Sequence, residues 1–234
     1  MAGIKSFIVE HFPFLGKYKR WFVIQKDSLS SVRKTYSQHQ EDIFILDELR
    51  KYNLPKGSMY VDIGANHPSD ISNTYLLYRH GYRGIIIEPN AELISLFRKF
   101  RKEDITLAIG CSDNSTVLKF NISKTPVLSS FSSDREVNSY NSVYLPIMPL
   151  DRAIENIDLP LINFLSIDVE GLNLEVLKGA TESLKKTLIL CIEFDDEAER
   201  EKFEQILPSS FECIKKVSCN LIYINKELSQ KWAK

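Results

Sequence analysis

Carboxylates follow several of the apolar runs in this sequence, at positions where a bound ligand could meet them. Asp62 and Gly64 come at the end of the run that begins at Met59. Glycine at that point permits a tight turn and a close approach of the backbone to a ligand. The segment lacks the glycine pattern and the lysine of dinucleotide and nucleoside triphosphate sites. It therefore indicates either a different ligand loop or an ordinary turn between a strand and a helix.

A second acid stands at the end of the next apolar run. Glu88 is followed by Pro89, which ends the strand and leaves the carboxylate at its tip. Its separation from Asp62 is near the spacing of about 20 residues that is typical of nucleoside-binding units. A carboxylate there can accept hydrogen bonds from both ribose hydroxyls. The alternative is an acid that only complements the positive end of the following helix.

A third group of acids follows the later apolar runs. Asp168 and Glu170 stand two residues apart at the predicted tip of one strand, where they would share a face. Glu193 ends a run that would form the neighbouring parallel strand. Together these carboxylates could bind a divalent cation, or one of them could act as a general base. The alternative is that Asp168 and Glu170 only cap the helix that follows.

Composition excludes several classes of protein. The chain has 234 residues, 44% of them hydrophobic, and a formal net charge of −1. No broad positive field is available to recruit nucleic acid or an anionic membrane. Four cysteines without a Cys-x-x-Cys pair favour free thiols in a reducing compartment. No apolar run reaches the ~18 residues of a membrane span, so we expect a cytoplasmic protein.

Short β-rich runs alternate with helical patterns from residue 40 onward, which predicts a parallel sheet. The runs are nearly continuous in apolar residues, as in strands covered by helices on both faces. Predicted strands are Met59–Ile63, Gly84–Glu88, Ile105–Ile109, Thr116–Ile122, Val143–Met148, Asn163–Asp168, Thr187–Phe194, Phe211–Val217 and Leu221–Ile224, the last two forming an antiparallel hairpin. Predicted helices are Gln40–Tyr52, Asp70–His80, Asn90–Arg101, Leu172–Lys178 and Asp195–Leu207.

Two segments depart from this alternation. Residues 1–36 mix aromatic and basic side chains, which predicts a helical appendage. Such a segment either packs on the core or contacts a membrane surface or a partner protein. The second segment is the polar loop Ser123–Asn141, whose length is typical of functional or mobile loops.

The chain resembles the FkbM family of S-adenosylmethionine-dependent methyltransferases in the ordered series QHQED, VDIGAN, SNTYLLYRHGYRGIIIEPN, FLSIDVEG and ILCIEF. The resemblance runs from about Ser37 to Ile224, roughly four-fifths of the chain. It implies that residues 37–234 form a methyltransferase domain of the α/β class. The implied fold is the class I (Rossmann-like) one, a seven-stranded, mostly parallel sheet with helices on both faces and a C-terminal antiparallel hairpin.

The resemblance also implies roles for individual residues. The Asp62, Gly64, Ala65 and Asn66 segment would hold the methionine part of S-adenosylmethionine, and Glu88 with Pro89 would meet the ribose. The segment Ala108–Asp113 would contact adenine, with Asp113 accepting from its amine. The entry motif, which contains Gln38, Glu41 and Asp42, would lie over the cofactor, and Asp168, Glu170 and Gly171 match the Ile-Asp-Val-Glu-Gly motif near the chemistry.

Two residues depart from the family pattern. His67-Pro68 replaces a glycine that relatives have shortly after Gly-Ala-Asn, and Ser166 replaces a lysine. If that lysine helps catalysis in relatives, this chain either needs another base or is impaired. His67 could take a proton from an acceptor hydroxyl, or it could only shape the turn with Pro68.

The resemblance implies O-methylation of a hydroxyl, and we expect the acceptor to be a sugar of a glycan or glycoconjugate. The long loop contains a polar and aromatic run that suits either a carbohydrate face or a solvated loop: Ser129, Ser130, Phe131 and Ser132. The alternatives are O-methylation of a lipid-like or polyketide molecule and a non-catalytic scaffold that binds the cofactor. A nucleic-acid substrate is disfavoured because the chain lacks both a broad basic excess and an Asn-Pro-Pro-Tyr-type tetrad.

Overall fold

Strands and helices alternate through most of the chain in the computed structural model, which describes residues 35–123, 129–131 and 139–234. The strands are β1 (Met59–Ile63), β2 (Gly84–Ile87), β3 (Ile105–Leu107), β4 (Gly110–Cys111), β5 (Thr116–Ser123), β6 (Ser139–Met148), β7 (Ile162–Ile167), β8 (Thr187–Glu193), β9 (Phe211–Val217) and β10 (Asn220–Asn225). The helices are α1 (Glu41–Leu49), α2 (Tyr75–Arg79), α3 (Ala91–Phe100), α4 (Leu150–Ala153), α5 (Asn173–Lys178), α6 (Thr181–Lys185), α7 (Glu197–Ile206) and α8 (Lys226–Trp232).

Seven strands form the main sheet in the order β3-β2-β1-β7-β8-β10-β9. The first five in this order pair in parallel, and β10 pairs antiparallel with both β8 and β9. This is the class I methyltransferase arrangement, and the predicted fold class is confirmed. Because these five parallel strands end at one edge, the side chains that follow them meet there.

The main sheet is covered on both faces, because alternate residues of each strand point to opposite sides. On one face, Val61, Leu165 and Leu190 pack with residues of α4 to α7. On the other, Tyr60 and Phe164 pack with residues of α1, α2 and α3. This explains why the strands carry nearly continuous apolar runs rather than alternating ones.

A second sheet follows β3 and has the order β4-β6-β5. Strand β5 is antiparallel to β6, and β4 is parallel to it. Between β5 and β6, only residues 129–131 of the predicted long loop belong to the described part of the chain. The predicted appendage 1–36 lies almost entirely outside the described residues, whereas Tyr36–Lys234 forms one compact unit.

One predicted helix begins five residues later than expected. The pattern predicted a helix from Asp70, but α2 starts at Tyr75. Ile71 has a positive φ of 51°, and the Ser72 hydroxyl accepts a hydrogen bond from the Tyr75 N–H. Polar side chains that bond to the nearby backbone in this way compete with helix formation. The short helices α4, α6 and α8 were not predicted.

Among the described residues, none of the helices is both long enough and apolar enough to cross a bilayer.

Candidate functional site

A cavity of about 330 Å³ lies at the carboxyl ends of β1, β2, β7 and β8. This is the edge where open parallel sheets bind ligands, and the volume is within the range of small-molecule sites. The loops after the strands and the second sheet supply its walls. Its lining includes Gln38, Gly64, Asn66, Ile71, Glu88, Pro89, Ile109, Gly110, Cys111, Phe120, Ser129, Ser130, Phe131, Asp168, Glu170 and Glu193.

Glu88 is a buried carboxylate in the wall of this cavity. The Asn66 N–H donates to its Oε2 at 2.9 Å, and the Asn90 N–H donates to its Oε1 at 2.7 Å. Burial raises the pKa of Glu88 to about 7, although the two backbone donors oppose that rise. The carboxylate therefore links the loops after β1 and β2 and titrates near neutral pH.

Gly64 lets the loops after β1 and β7 come into contact. Its φ is +77°, and a Cβ at this position would lie 1.8 Å from the carbonyl oxygen of Asp168. The Gly64 N–H donates to the carbonyl of Ile87 at 2.9 Å. Any side chain would push the loop after β1 away from β7, so only glycine fits this turn.

Asp168, Glu170 and Glu193 lie together at one side of the cavity. Each offers a carboxylate oxygen within 4.8 Å of the others, and all three residues are half-buried. The prediction that Asp168 and Glu170 share one face of a strand is wrong. Strand β7 ends at Ile167, and a turn with positive φ at Glu170 (39°) brings the carboxylates together.

Two side chains hold this acidic turn. Asn173 accepts from the Val169 N–H at 3.0 Å and donates to the carbonyl of Glu193 at 3.1 Å, which ties the turn to β8. Ser130 donates to the carbonyl of Glu170 at 2.9 Å from the loop of the second sheet. The turn is therefore fixed from both sides of the cavity.

The metal site predicted at these acids stays a prediction. Exposed acidic groups often cluster without an ion, and nothing else among the described residues points to a cation.

Asp62 does not line the cavity. Its carboxylate is buried, and it accepts a hydrogen bond from the Thr74 hydroxyl at 2.5 Å. Burial raises its pKa, and the hydrogen bonds from Thr74 and Ser166 and the charge of Arg101 oppose that rise. Ala65 packs in the core below the same loop. The loop thus offers Gly64 and Asn66 to a ligand and keeps the Asp62 side chain in the interior.

The entry motif divides in the same way. Gln38 lines the cavity, whereas Glu41 and Asp42 are fully buried. Asp42 accepts from the Tyr36 N–H at 2.7 Å. Glu41 accepts from the His39 N–H at 2.8 Å and from the Asn220 side chain at 2.9 Å. The two acids hold the segment that presents Gln38.

Two further predicted site residues lie outside the cavity lining. Asp113 is exposed and accepts from the side chains of Ser112 and Asn114. His67 is buried, and its Nδ1 accepts from the N–H groups of Ser69 at 3.3 Å and Asp70 at 3.0 Å. The histidine therefore shapes its own turn, and its proposed part in proton transfer stays a prediction.

The apolar wall of the site was predicted only in part, through the segment Ala108–Asp113 and through Phe131, whereas Phe120 was not predicted. Phe120 and Phe131 face the cavity from the second sheet, with ring centroids 4.8 Å apart. Gly110 lies against the Phe131 ring, at a distance where a Cβ would be 2.7 Å from it. Ile71 lies at the cavity edge and is 49% exposed. An exposed isoleucine with positive φ is unusual enough to mark a functional loop, but the sequence does not reveal that φ.

Solved structures with a similar fold include several methyltransferases. An O-methyltransferase from Bacillus cereus, solved with SAH, is 10% identical with a TM-score of 0.46 and coverage of 99% of this chain and 97% of that one. A precorrin-6y C5,15-methyltransferase from Geobacter metallireducens is 11% identical with a TM-score of 0.40 and coverage of 85% and 93%. TrmK from M. capricolum, also with SAH, is 12% identical with a TM-score of 0.37 and coverage of 82% and 74%.

The sequence of the chain identifies its family. A search of curated protein sequences found no significant match. The family model described as the methyltransferase FkbM domain, in contrast, matches residues 62–216, more than half of the chain. That range includes Gly64, Glu88 and the acidic turn. The chain therefore belongs to the FkbM family of methyltransferases.

Proposed function

We propose that this protein transfers a methyl group from S-adenosylmethionine to a hydroxyl oxygen, and that the acceptor is a sugar of a glycan or glycoconjugate. The observation that carries the proposal is Glu88, a buried carboxylate in the wall of a cavity at the carboxyl edge of the sheet. An acid at the tip of the second strand is the group that accepts ribose hydroxyls in nucleoside-binding folds. Family membership supports methyl transfer as the reaction.

The residues of the cavity fit this cofactor. Glu88 would accept from the ribose hydroxyls, and the Gly64–Asn66 backbone lies close enough to the cavity for the methionine part. Ile109, Gly110 and Phe131 form an apolar wall beyond Glu88 that suits adenine. Gln38 would cover the cofactor from the entry segment. Asp113 lies outside this lining, so we assign the adenine contacts to the wall.

The acceptor would lie beside the acidic turn. When bound, S-adenosylmethionine supplies an electrophilic methyl group on a cationic sulfur. The chain positions the acceptor in line with it and excludes water. Asp168, Glu170 and Glu193 can accept hydrogen bonds from several sugar hydroxyls, and we assign the proton acceptor to Asp168. Ser166 is buried outside the cavity lining and accepts a hydrogen bond from the Asn73 side chain at 3.3 Å, so we assign it no catalytic role.

The aromatic wall favours one alternative. Phe120, Phe131 and Ile71 give the cavity apolar surface that would also suit a lipid-like or polyketide hydroxyl. The free thiols of the four cysteines support the cytoplasmic location that we propose. Partner or membrane contact through residues 1–36 stays a prediction.

Calorimetric titration with S-adenosylhomocysteine tests the cofactor site. We expect Glu88→Ala to weaken binding by about 1.5–3 kcal/mol, because a charge-assisted hydrogen bond is lost. Glu92→Ala is the matched control, since this acid is exposed and lies four residues after Glu88, in the first turn of α3. Equal affinity in Glu88→Ala and the wild type would contradict the ribose role.

Turnover separates the candidate functions. Formation of S-adenosylhomocysteine with a glycan extract, but not with a lipid extract, is the result expected for a glycan methyltransferase. The reverse result would favour the lipid-like acceptor. Cofactor binding without turnover on either extract would favour the scaffold. Full activity in excess EDTA would exclude a labile metal ion.

A further inference from the structure

A hydrogen bond joins the two ends of the cofactor loop. The cofactor loop is residues 64–74, between β1 and α2; Asp62 lies near the end of β1, and Thr74 is the last residue of the loop. The Thr74 hydroxyl donates to Asp62 Oδ2 at 2.5 Å, and we call this bond the Asp62–Thr74 clasp. Between its ends the loop brings Gly64, Asn66 and Ile71 to the cavity. The clasp therefore fixes the distance between the two ends of the loop.

Arg101 holds the clasp from below. Its Nη1 and Nη2 each donate to Thr74 Oγ1 at 3.0 Å. Because the hydroxyl oxygen accepts from the guanidinium, its own hydrogen is left to point at Asp62. Arg101 follows α3, so the clasp connects the end of that helix to the loop after β1.

Arg101 is itself fixed. Its Nε donates to Asp104 Oδ2 at 2.7 Å, and its Nη2 donates to the Tyr60 hydroxyl at 2.7 Å. The Tyr60 hydroxyl in turn donates to Asp104 at 2.7 Å. Arg101 is fully buried, as is Thr74. A buried guanidinium with these partners cannot turn toward another acceptor without leaving a charge unpaired.

The side chains that form and support the clasp do not line the cavity. Asp62, Thr74 and Arg101 are absent from the cavity lining. Gly64, which does line the cavity, lies two residues after Asp62. Asn66, in the same loop, donates the backbone hydrogen bond to Glu88. A change in the span of the loop would therefore move Gly64 and the Asn66 donor together.

We propose that Thr74 and Arg101 are positioning residues, which set the shape of the cofactor loop through the Asp62–Thr74 clasp and thereby raise affinity for the nucleoside cofactor. The inference rests on the proposed function, because it takes S-adenosylmethionine as the ligand. It goes beyond that function by assigning a role to residues that do not touch the ligand.

Two variants at Thr74 test the proposal. Thr74→Val keeps the shape and removes the hydroxyl, whereas Thr74→Ser keeps the hydroxyl. In calorimetric titration with S-adenosylhomocysteine, we expect Thr74→Val to bind about tenfold more weakly and Thr74→Ser to bind within about twofold of the wild type. Titrations are made at a temperature well below the thermal unfolding midpoint of each variant, where the variant is fully folded. A loss of stability alone would therefore leave the affinity unchanged.

Asp62→Asn provides a second variant if Thr74→Val does not fold. It keeps an oxygen for Thr74 but removes the charge, and we expect about threefold weaker binding. Wild-type affinity in folded Thr74→Val overturns the proposal. If Thr74→Val does not fold, wild-type affinity in Asp62→Asn overturns it. If the wild-type protein itself does not bind S-adenosylhomocysteine, the proposed function has failed, which is a separate result.

Discussion

The acids around Arg101 and the acids of the cavity differ in burial and in partners. Asp104 is buried, and it binds Arg101, Tyr60 and the Gly84 N–H. Asp168 and its two acidic neighbours are half-buried and lie beside one another at the cavity wall. A carboxylate that is buried with a fixed cation stabilises the fold, whereas clustered acids at a cavity remain accessible to a ligand. Position near a strand end does not by itself distinguish the two groups. Asp62 lies near the end of β1, yet its side chain is buried and bonded to Thr74.

The largest effect is expected in the cavity group. Asp168→Asn should lower turnover by about 10²–10⁴-fold, because a general base is lost, while the free energy of unfolding stays within about 0.5 kcal/mol of the wild type. Initial rates of S-adenosylhomocysteine formation and urea denaturation measure the two effects. Asp158→Asn, an exposed acid outside the cavity, is the control. An active Asp168→Asn protein would remove this residue from the chemistry.

The buried group should respond in the opposite way. Asp104→Asn should lower the free energy of unfolding by about 3–5 kcal/mol, because it leaves Arg101 buried without its ion-pair partner. Urea denaturation of this variant beside the same Asp158→Asn control measures the loss. A loss below about 1 kcal/mol would mean that Arg101 and its acids contribute little to the fold, and the distinction between the two groups would fail.

Glu88 belongs to neither group, since it is buried and also lines the cavity. Its pKa of about 7 in the free protein means that it is largely protonated at pH 6. Ribose hydroxyls favour the carboxylate, so binding must release that proton. We expect affinity for S-adenosylhomocysteine to be about tenfold weaker at pH 6 than at pH 8, with little further gain above pH 8.

Glu88→Gln is the control for this pH dependence. The amide does not titrate, so its affinity should be weaker than that of the wild type and nearly constant between pH 6 and pH 8. The opposite trend, with tighter binding at pH 6, would mean that the ligand prefers protonated Glu88.

Residue patterns could predict the fold because the strands are short apolar runs with clear ends. The bounds of Met59–Ile63 and Phe211–Val217 agree with the structure. The helix start at Tyr75 could not be predicted, because it depends on the φ of Ile71 and on the Ser72 side chain. The short helix α6 was also missed, since five residues carry little periodicity.

The site was predicted unevenly for a related reason. Residues at strand tips, such as Glu88 and Asp168, are visible in the sequence because strand ends converge at one edge. Phe131 was named from the sequence, but its pairing with Phe120 at the cavity wall depends on the second sheet, which no local pattern reveals. Arg101 resembles any basic residue at the end of a helix, and only the structure places it beneath the loop after β1.

The hydrogen bond from Ser130 to the carbonyl of Glu170 bears on how this enzyme could be re-engineered. A chimera that exchanged the whole segment between β5 and β6 for that of a relative would remove the serine together with the loop. Its acidic turn would lose an anchor even though no residue of that turn had been altered. Grafts that begin after Phe131 keep the anchor, and are therefore the better starting point for an exchange of this segment.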